Sequence, residues 1–232
     1  MSFPPVGHPD VTRARAGSPA RPAVTAVAAA VVVALLGAGV RTGLAPQLRL
    51  DAAVSEALYA GDGRAAALDG LLEVVTALGL FWVRLLVLLP VVAWLAARRR
   101  WRTAAWVVLA AGLVGPVTTV LKEFFGRVRP PFADGGLRYE SLSYPSGHSS
   151  GIVALVTVCL VLAWPRLSPA ARRVWSAVGA VLVLVVGLTR IWLGVHYLSD
   201  VLGGWSLGLA WCLLVAVLLD ALPGGRAALP PR

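Results

Sequence analysis

Ala23–Val40 reads AVTAVAAAVVVALLGAGV, eighteen residues with no charge and one hydroxyl. As a helix rising 1.5 Å per residue it covers about 27 Å, close to the hydrocarbon thickness of a bilayer. Arg13, Arg15 and Arg21 precede it, as basic residues precede the core of a signal peptide. The run is longer than the roughly 7–15 residues of such cores, and no clear A-x-A cleavage site follows, so a retained membrane span is expected.

Five further apolar runs carry the same reading along the chain. The second ends at Ala97 and begins between Leu71 and Leu80. The others are roughly Thr103–Leu121, Ser149–Trp164, Val174–Leu193 and Val201–Leu219. Strand-like alternation is not evident, which speaks against a β-barrel. Pro90 and Pro116 fall inside the second and third runs and are expected to kink them. The expected fold is all-α: a polytopic membrane protein built as a six-helix bundle. Residues 1–22, rich in Pro, Gly, Ser and Arg, are expected as a disordered cytoplasmic tail. The membrane domain is expected over 23–220, with a second cytoplasmic tail over 221–232.

Composition agrees. Of 232 residues 58% are hydrophobic and 14% charged, with a mean hydropathy of +0.79. A soluble domain holds about 45–50% apolar and about 25% charged residues, and a disordered chain is less hydrophobic still. Cys159 and Cys212 both sit in apolar runs and read as small hydrophobes, with no disulfide framework and no C-x-x-C motif.

The net charge of +10 would suggest nucleic acid in a soluble protein. Here its position decides otherwise. With six spans both termini share one side, and that side carries twelve cations, including the Arg98–Arg100 run, Arg102, Arg166, Arg172 and Arg173. The other side carries eight: Arg41, Arg49, Arg64, Lys122, Arg127, Arg129, Arg138 and Arg190. The short connections after spans two and four are strongly basic, so the termini are expected in the cytoplasm of a multi-pass plasma-membrane protein. Nucleic acid is not an expected partner. Arg84, inside span two, is expected to snorkel outward, the alternative being a further contact to a bound phosphate.

The outward cations divide. Arg41, Arg49 and Arg64 are outnumbered by Asp51, Glu56, Asp62 and Asp69 and read as a mixed solvated surface. Arg127 and Arg138 read as span-end anchors. Lys122, Arg129 and Arg190 lie at membrane boundaries, where burying charge is costly, and two of the three histidines, His148 and His196, lie in the same two loops. Three segments hold the clustered residues. They are Lys122-Glu-Phe-Phe-Gly-Arg-Val-Arg129-Pro130, Pro145-Ser146-Gly147-His148, and Thr189-Arg190-Ile-Trp-Leu-Gly-Val-His196-Tyr-Leu-Ser-Asp200.

Three convergent cations repel one another unless an anion sits between them, and phosphate suits both the point charge of Lys122 and the planar forks of Arg129 and Arg190. Backbone N–H groups at Ser146 and Gly147, ahead of a new helix, suit an oxyanion. His196 and Asp200 share one helical face at i,i+4, so the carboxylate can fix the imidazole tautomer and leave the other nitrogen to attack phosphorus. His148 then serves as general acid to the leaving oxygen and afterwards as base for water. The reaction expected is phosphoester hydrolysis through a phosphohistidine. A two-His, one-carboxylate metal site at His148, His196 and Asp200 is the rival, opposed by the three cations beside it. No metal or cofactor is expected.

These segments resemble the three-part motif of the type-2 phosphatidic-acid phosphatase superfamily, K-x6-R-P, P-S-G-H and S-R-x5-H-x3-D. The first two are matched in full, and the third with Thr189 in place of Ser. The resemblance implies a six-helix bundle with a metal-independent site at the outer membrane face. It also implies His196 as nucleophile and His148 as general acid, with phosphate held by Lys122, Arg129, Arg190, Ser146 and Gly147. A site at the lipid–water boundary favours a lipid phosphate as substrate: undecaprenyl diphosphate, phosphatidylglycerol phosphate or phosphatidic acid. Transfer of the phosphoryl group to an alcohol remains an alternative, as does a lipid-phosphate transporter or binding protein without turnover.

Overall fold

The computed structural model describes residues 20–61, 63, 65–134 and 141–230. Residues 1–19 of the expected tail, with Arg13 and Arg15, and also Asp62, Arg64, Arg138 and Arg232, lie outside the described residues.

The first apolar run is α1 (Ala20–Arg41), which starts three residues before the expected span. Two helices that hydropathy does not announce follow it. The first is α2 (Ala45–Leu58), whose Pro46 stands at its N-terminus. The segment read as a solvated loop is thus helical. The second is α3 (Ala66–Ala77), which meets α4 (Phe81–Ala97) at 43°. Counted together, α3 and α4 make the second crossing, bent at residues 78–80, and α4 continues through Pro90.

The third crossing, Trp101–Phe125, is α5 (Trp101–Gly112) and α6 (Val114–Phe125), interrupted at Leu113. Pro116 has no N–H for the Gly112 carbonyl and its ring crowds that oxygen, so the interruption falls where a proline effect is felt, one turn upstream. Gly126 ends α6 at φ +67°, a left-handed conformation that glycine adopts without penalty. The remaining crossings are α7 (Gly147–Ala163), α8 (Pro169–Trp192) and α9 (Leu198–Leu218). Ser146 caps α7 by accepting from Ser149 N, and Ser168 caps α8 by accepting from Ala171 N. The described residues hold no strand. Among the described residues five helical segments are long and apolar enough to cross a membrane, and six with the bent pair counted as one. The protein is a polytopic all-helical bundle.

At the centre is α9, packed chiefly on α1 and α7. Approach of α7 is close enough that a Cβ at Gly204 would stand 2.5 Å from the carbonyl oxygen of Ser146. Outward-facing side chains are apolar: Leu86, Trp82, Val74, Val120 and Leu218 are all exposed, as expected where lipid rather than water is the solvent.

The interior is divided by polarity. One end is an apolar cluster that includes Leu95, Trp106, Ala110, Val158, Cys212 and Ala216. Residues 221–230, expected as a tail, close this end: Ala221, Ala227 and Leu229 are buried in the cluster, and Thr103 Oγ1 donates to Ala227 O at 2.6 Å. The other end, where α6 and α8 finish and α7 and α9 begin, buries Asp51, Arg127, Ser146, Ser149, Thr189, Arg190, His196, Ser199 and Asp200.

Candidate active site

Placement of the histidines follows from two helix starts. Asp200, at the third position of α9, accepts the Tyr197 main-chain N–H at 2.9 Å on Oδ2 and so caps its own helix. The same oxygen lies 3.3 Å from His196 Nδ1. The carboxylate therefore takes the proton of Nδ1 as a hydrogen bond and leaves the lone pair on Nε2, which faces Arg129 Nη1 at 3.2 Å. Burial, with the charges of Arg129, Arg190 and Lys122, holds the His196 ring well below its ordinary pKa. The ring is neutral at neutral pH, and Nε2 accepts from Arg129 Nη1.

The three cations of the sequence reading converge. Arg129 is braced by Ser141, donating to its carbonyl at 2.7 Å and its hydroxyl at 2.9 Å, and by Val195 O at 2.7 Å. Lys122 Nζ donates to Leu142 O, and Arg190 Nη1 to Thr76 Oγ1 at 3.1 Å. All three charges act on both His148 and His196. Such a gathering of positive charge beside two imidazoles suits a phosphate dianion.

His148 stands half-buried in the first turn of α7. The main-chain N–H groups of Gly147 and His148 precede the first bonds internal to that helix and have no partner among the described residues. Ser146 is placed differently from its neighbours. Its N–H donates to Asp200 O at 2.9 Å, and its hydroxyl caps the helix, so it ties α7 to α9. Thr189 is likewise turned inward: its hydroxyl donates to Val186 O at 2.7 Å within α8.

Sequence reasoning missed three residues. Arg127, read as an anchor, is buried, with Nη1 2.7 Å from Asp200 Oδ1 and Nη2 2.6 Å from Asp51 Oδ2. Asp51, read as part of a solvated surface, is 2% exposed and accepts from Ser199 N at 2.9 Å. No local signal marks either one, because each finds its partner across more than seventy residues of chain. Arg84 does not snorkel. It is buried, and its Nη1 donates to Gly79 O at 2.8 Å, at the bend between α3 and α4.

The chain is similar to several known proteins. A family model described as the PAP2 superfamily matches residues 101–222. Phosphatidylglycerophosphatase B of Bacillus subtilis is 39% identical over 136 residues, which are 55% of this chain and 66% of that protein. The putative undecaprenyl-diphosphatase YbjG of Escherichia coli is 31% identical over 143 residues, 58% of this chain and 67% of that one. A lipid A 1-phosphatase of Rhizobium johnstonii is 32% identical over 117 residues, 45% of this chain and 43% of its own length. The crystal structure of a transmembrane PAP2-type phosphatidylglycerolphosphate phosphatase from Bacillus subtilis superposes with a TM-score of 0.67 at 30% identity, covering 82% of this chain and 94% of that one.

Proposed function

The chain belongs to the PAP2 superfamily, and from that premise we propose that it hydrolyses a lipid phosphate through a phosphohistidine formed on His196. The observation that carries the reading is the two-sided placement of one ring: Nδ1 on the Asp200 carboxylate, and the Nε2 lone pair turned to Arg129 among three cations, where a phosphoryl group would take the place of the guanidinium contact. The similar proteins named above as phosphatases of phosphatidylglycerophosphate, undecaprenyl diphosphate and lipid A support a lipid phosphate as the substrate class.

The step runs as follows. Lys122, Arg129, Arg190 and the N–H groups of Gly147 and His148 hold the phosphoryl oxygens. His196 Nε2 bonds to phosphorus as the ester P–O bond breaks, and His148, protonated once the bound phosphate dianion offsets the cations around it, gives its proton to the departing oxygen of the lipid. Asp200 offsets the positive charge that arises on the His196 ring. His148, now neutral, takes a proton from water as its oxygen attacks phosphorus, the P–N bond breaks, and inorganic phosphate leaves with His196 restored.

Topology is part of the proposal. The basic connections at Arg98–Arg102 and Arg166–Arg173 favour a cytoplasmic location for that end of the bundle, which puts the site at the extracytoplasmic face of the plasma membrane. A phosphate head group enters there while its hydrocarbon chain stays in the bilayer.

The test is phosphate release in detergent, with and without chelator, from wild type and His196→Ala. Release by wild type in both conditions and loss in the variant is the expected result. Release that persists in the variant overturns the nucleophile, and release abolished by chelator restores the metal alternative. A phosphorylated alcohol, found when candidate acceptors are added, identifies a transferase. Binding of lipid phosphate without release identifies a carrier.

A further inference from the structure

We propose that Arg127 and Asp51 are positioning residues of the reaction, an electrostatic relay that runs from α2 through the guanidinium to Asp200 and so to His196. The inference rests on the reading of His196 as nucleophile. It extends that reading to a part of the chain, α2, that lies outside the family-matched residues 101–222.

Four side chains make the relay. The Arg127 fork is filled on both prongs: Nη1 donates to Asp200 Oδ1 and to Ser199 Oγ, each at 2.7 Å, and Nη2 to Asp51 Oδ2 at 2.6 Å. Its flat face lies 4.0 Å from the Tyr197 ring centroid, which fixes the plane of the fork. Asp51 is held in turn by α9, accepting Ser199 N at 2.9 Å on Oδ1 and Ser199 Oγ at 2.6 Å on Oδ2. Asp51 thus adds a negative charge at the N-terminus of the helix that carries Asp200. With Oδ1 on Arg127 and Oδ2 on His196 and the Tyr197 N–H, the Asp200 carboxylate cannot rotate.

Charge gives the relay its purpose. Two carboxylates around one guanidinium leave one net negative charge beside a neutral imidazole. When Nε2 bonds to phosphorus the ring becomes positive, and that surplus charge offsets it inside a buried site. A bare His–Asp pair without Arg127 would leave a buried carboxylate poorly supported. Arg127 without Asp51 would cancel the carboxylate at the moment it is needed. Burial alone would lower the pKa of Arg127, but Asp200 and Asp51 together raise it, so the guanidinium keeps its charge.

The groups facing His196 are Lys122 on α6, Arg129 after it, His148 on α7, Arg190 on α8 and Asp200 on α9, with Arg127 and Asp51 behind. The phenols nearby, Tyr144 and Tyr197, are both raised above their ordinary range by burial and do not titrate near neutrality. Charge changes at Asp51 and Arg127 therefore read out on the two histidines. His196 is the nearer, through Asp200.

The experiment is the pH profile of kcat/KM for one lipid phosphate with the full chain in detergent. Asp51→Asn removes a negative charge, makes protonation of His196 harder, and moves the acid limb to lower pH. Arg127→Gln removes a positive charge and moves the limb to higher pH. Each shift is expected at about half a unit to one unit, with kcat down at least about tenfold and KM changed less than about threefold. The double variant, which removes one charge of each sign, returns the limb to its wild-type position. Ser199→Ala, which removes contacts but no charge, leaves it there. Limbs that do not move, or that move in the same direction in both single variants, overturn the relay. If Arg127→Gln does not fold, Arg127→Lys replaces it: it keeps the charge and loses the fork, so kcat falls and the limb stays, and a moved limb overturns the relay. A wild type that releases no phosphate is a failure of the proposed function instead.

Discussion

The Ser146 N–H donates to the main-chain carbonyl of Asp200 at 2.9 Å, so the helix start that carries His148 is fastened to the residue that orients His196. His148 and His196, the proposed acid and nucleophile, are thereby tied together through the starts of two helices. Gly204, one turn further along α9, permits this closeness, since a Cβ there would meet Ser146 O at 2.5 Å and Ser149 Cβ at 2.7 Å.

Gly204→Ala is therefore expected to push α7 from α9. Overpacking of this kind costs about 1–3 kcal/mol, and misplacing the acid by about 1 Å costs on the order of 100-fold in rate. Thermal unfolding in detergent and kcat/KM measured side by side check both numbers. A variant as active as wild type would show that α7 and α9 can separate without moving the histidines.

Asp200→Asn keeps the shape of the side chain but changes what it accepts. An amide that presents NH2 to Nδ1 favours the wrong tautomer of His196, and kcat is expected to fall by about 10²–10⁴. Substrate affinity should change little, because the phosphate contacts remain. Steady-state kinetics with a lipid phosphate separates the two effects.

Stability should depend on pH through His196. Its pKa is depressed in the folded protein, by burial first and then by Arg129, Arg190 and Lys122. The unfolded chain takes up a proton near the ordinary pKa of about 6.5 while the folded one does not. Stability from this group is thus full above about pH 6.5 and is lost as pH falls toward the depressed value, by at most about 1.4 kcal/mol per pH unit. Unfolding midpoints between pH 5 and 8, compared with His196→Ala, should show a shallower slope in the variant.

Arg190→Lys replaces a fork by a point charge and gives up the bond to Thr76 Oγ1. Phosphate affinity is expected to weaken by about tenfold, since a bidentate contact becomes a single one. Competitive inhibition by inorganic phosphate reports the change directly.

The candidate site was legible because its members come in short segments whose internal spacing carries meaning. His196 and Asp200 stand four apart, the step of one helical turn, and their contact is kept although His196 itself lies just ahead of α9; a cation at a span end is conspicuous against an apolar background. Arg127 and Asp51 were not legible, because each looks like an ordinary boundary charge until its distant partner is known. The helix α2 was hidden for a related reason: its mixed polar sequence resembles a solvated loop, and only docking Asp51 and Ser55 inside the bundle shows which side is buried. The span count survives these omissions, since hydropathy measures length and apolarity. The bend between α3 and α4, and the return of residues 221–230 into the apolar cluster, depend on neighbours that hydropathy does not see.

The extensive packing of α1 on α9 has a consequence for how the molecule is made. The first described span and the last are mutual neighbours, so the contact of highest sequence separation is also the one that closes the bundle. A growing chain that already carries Lys122, Arg129 and His148 still lacks the helix that positions His196 and Asp200. Under the proposed function, phosphatase activity waits on the docking of α9.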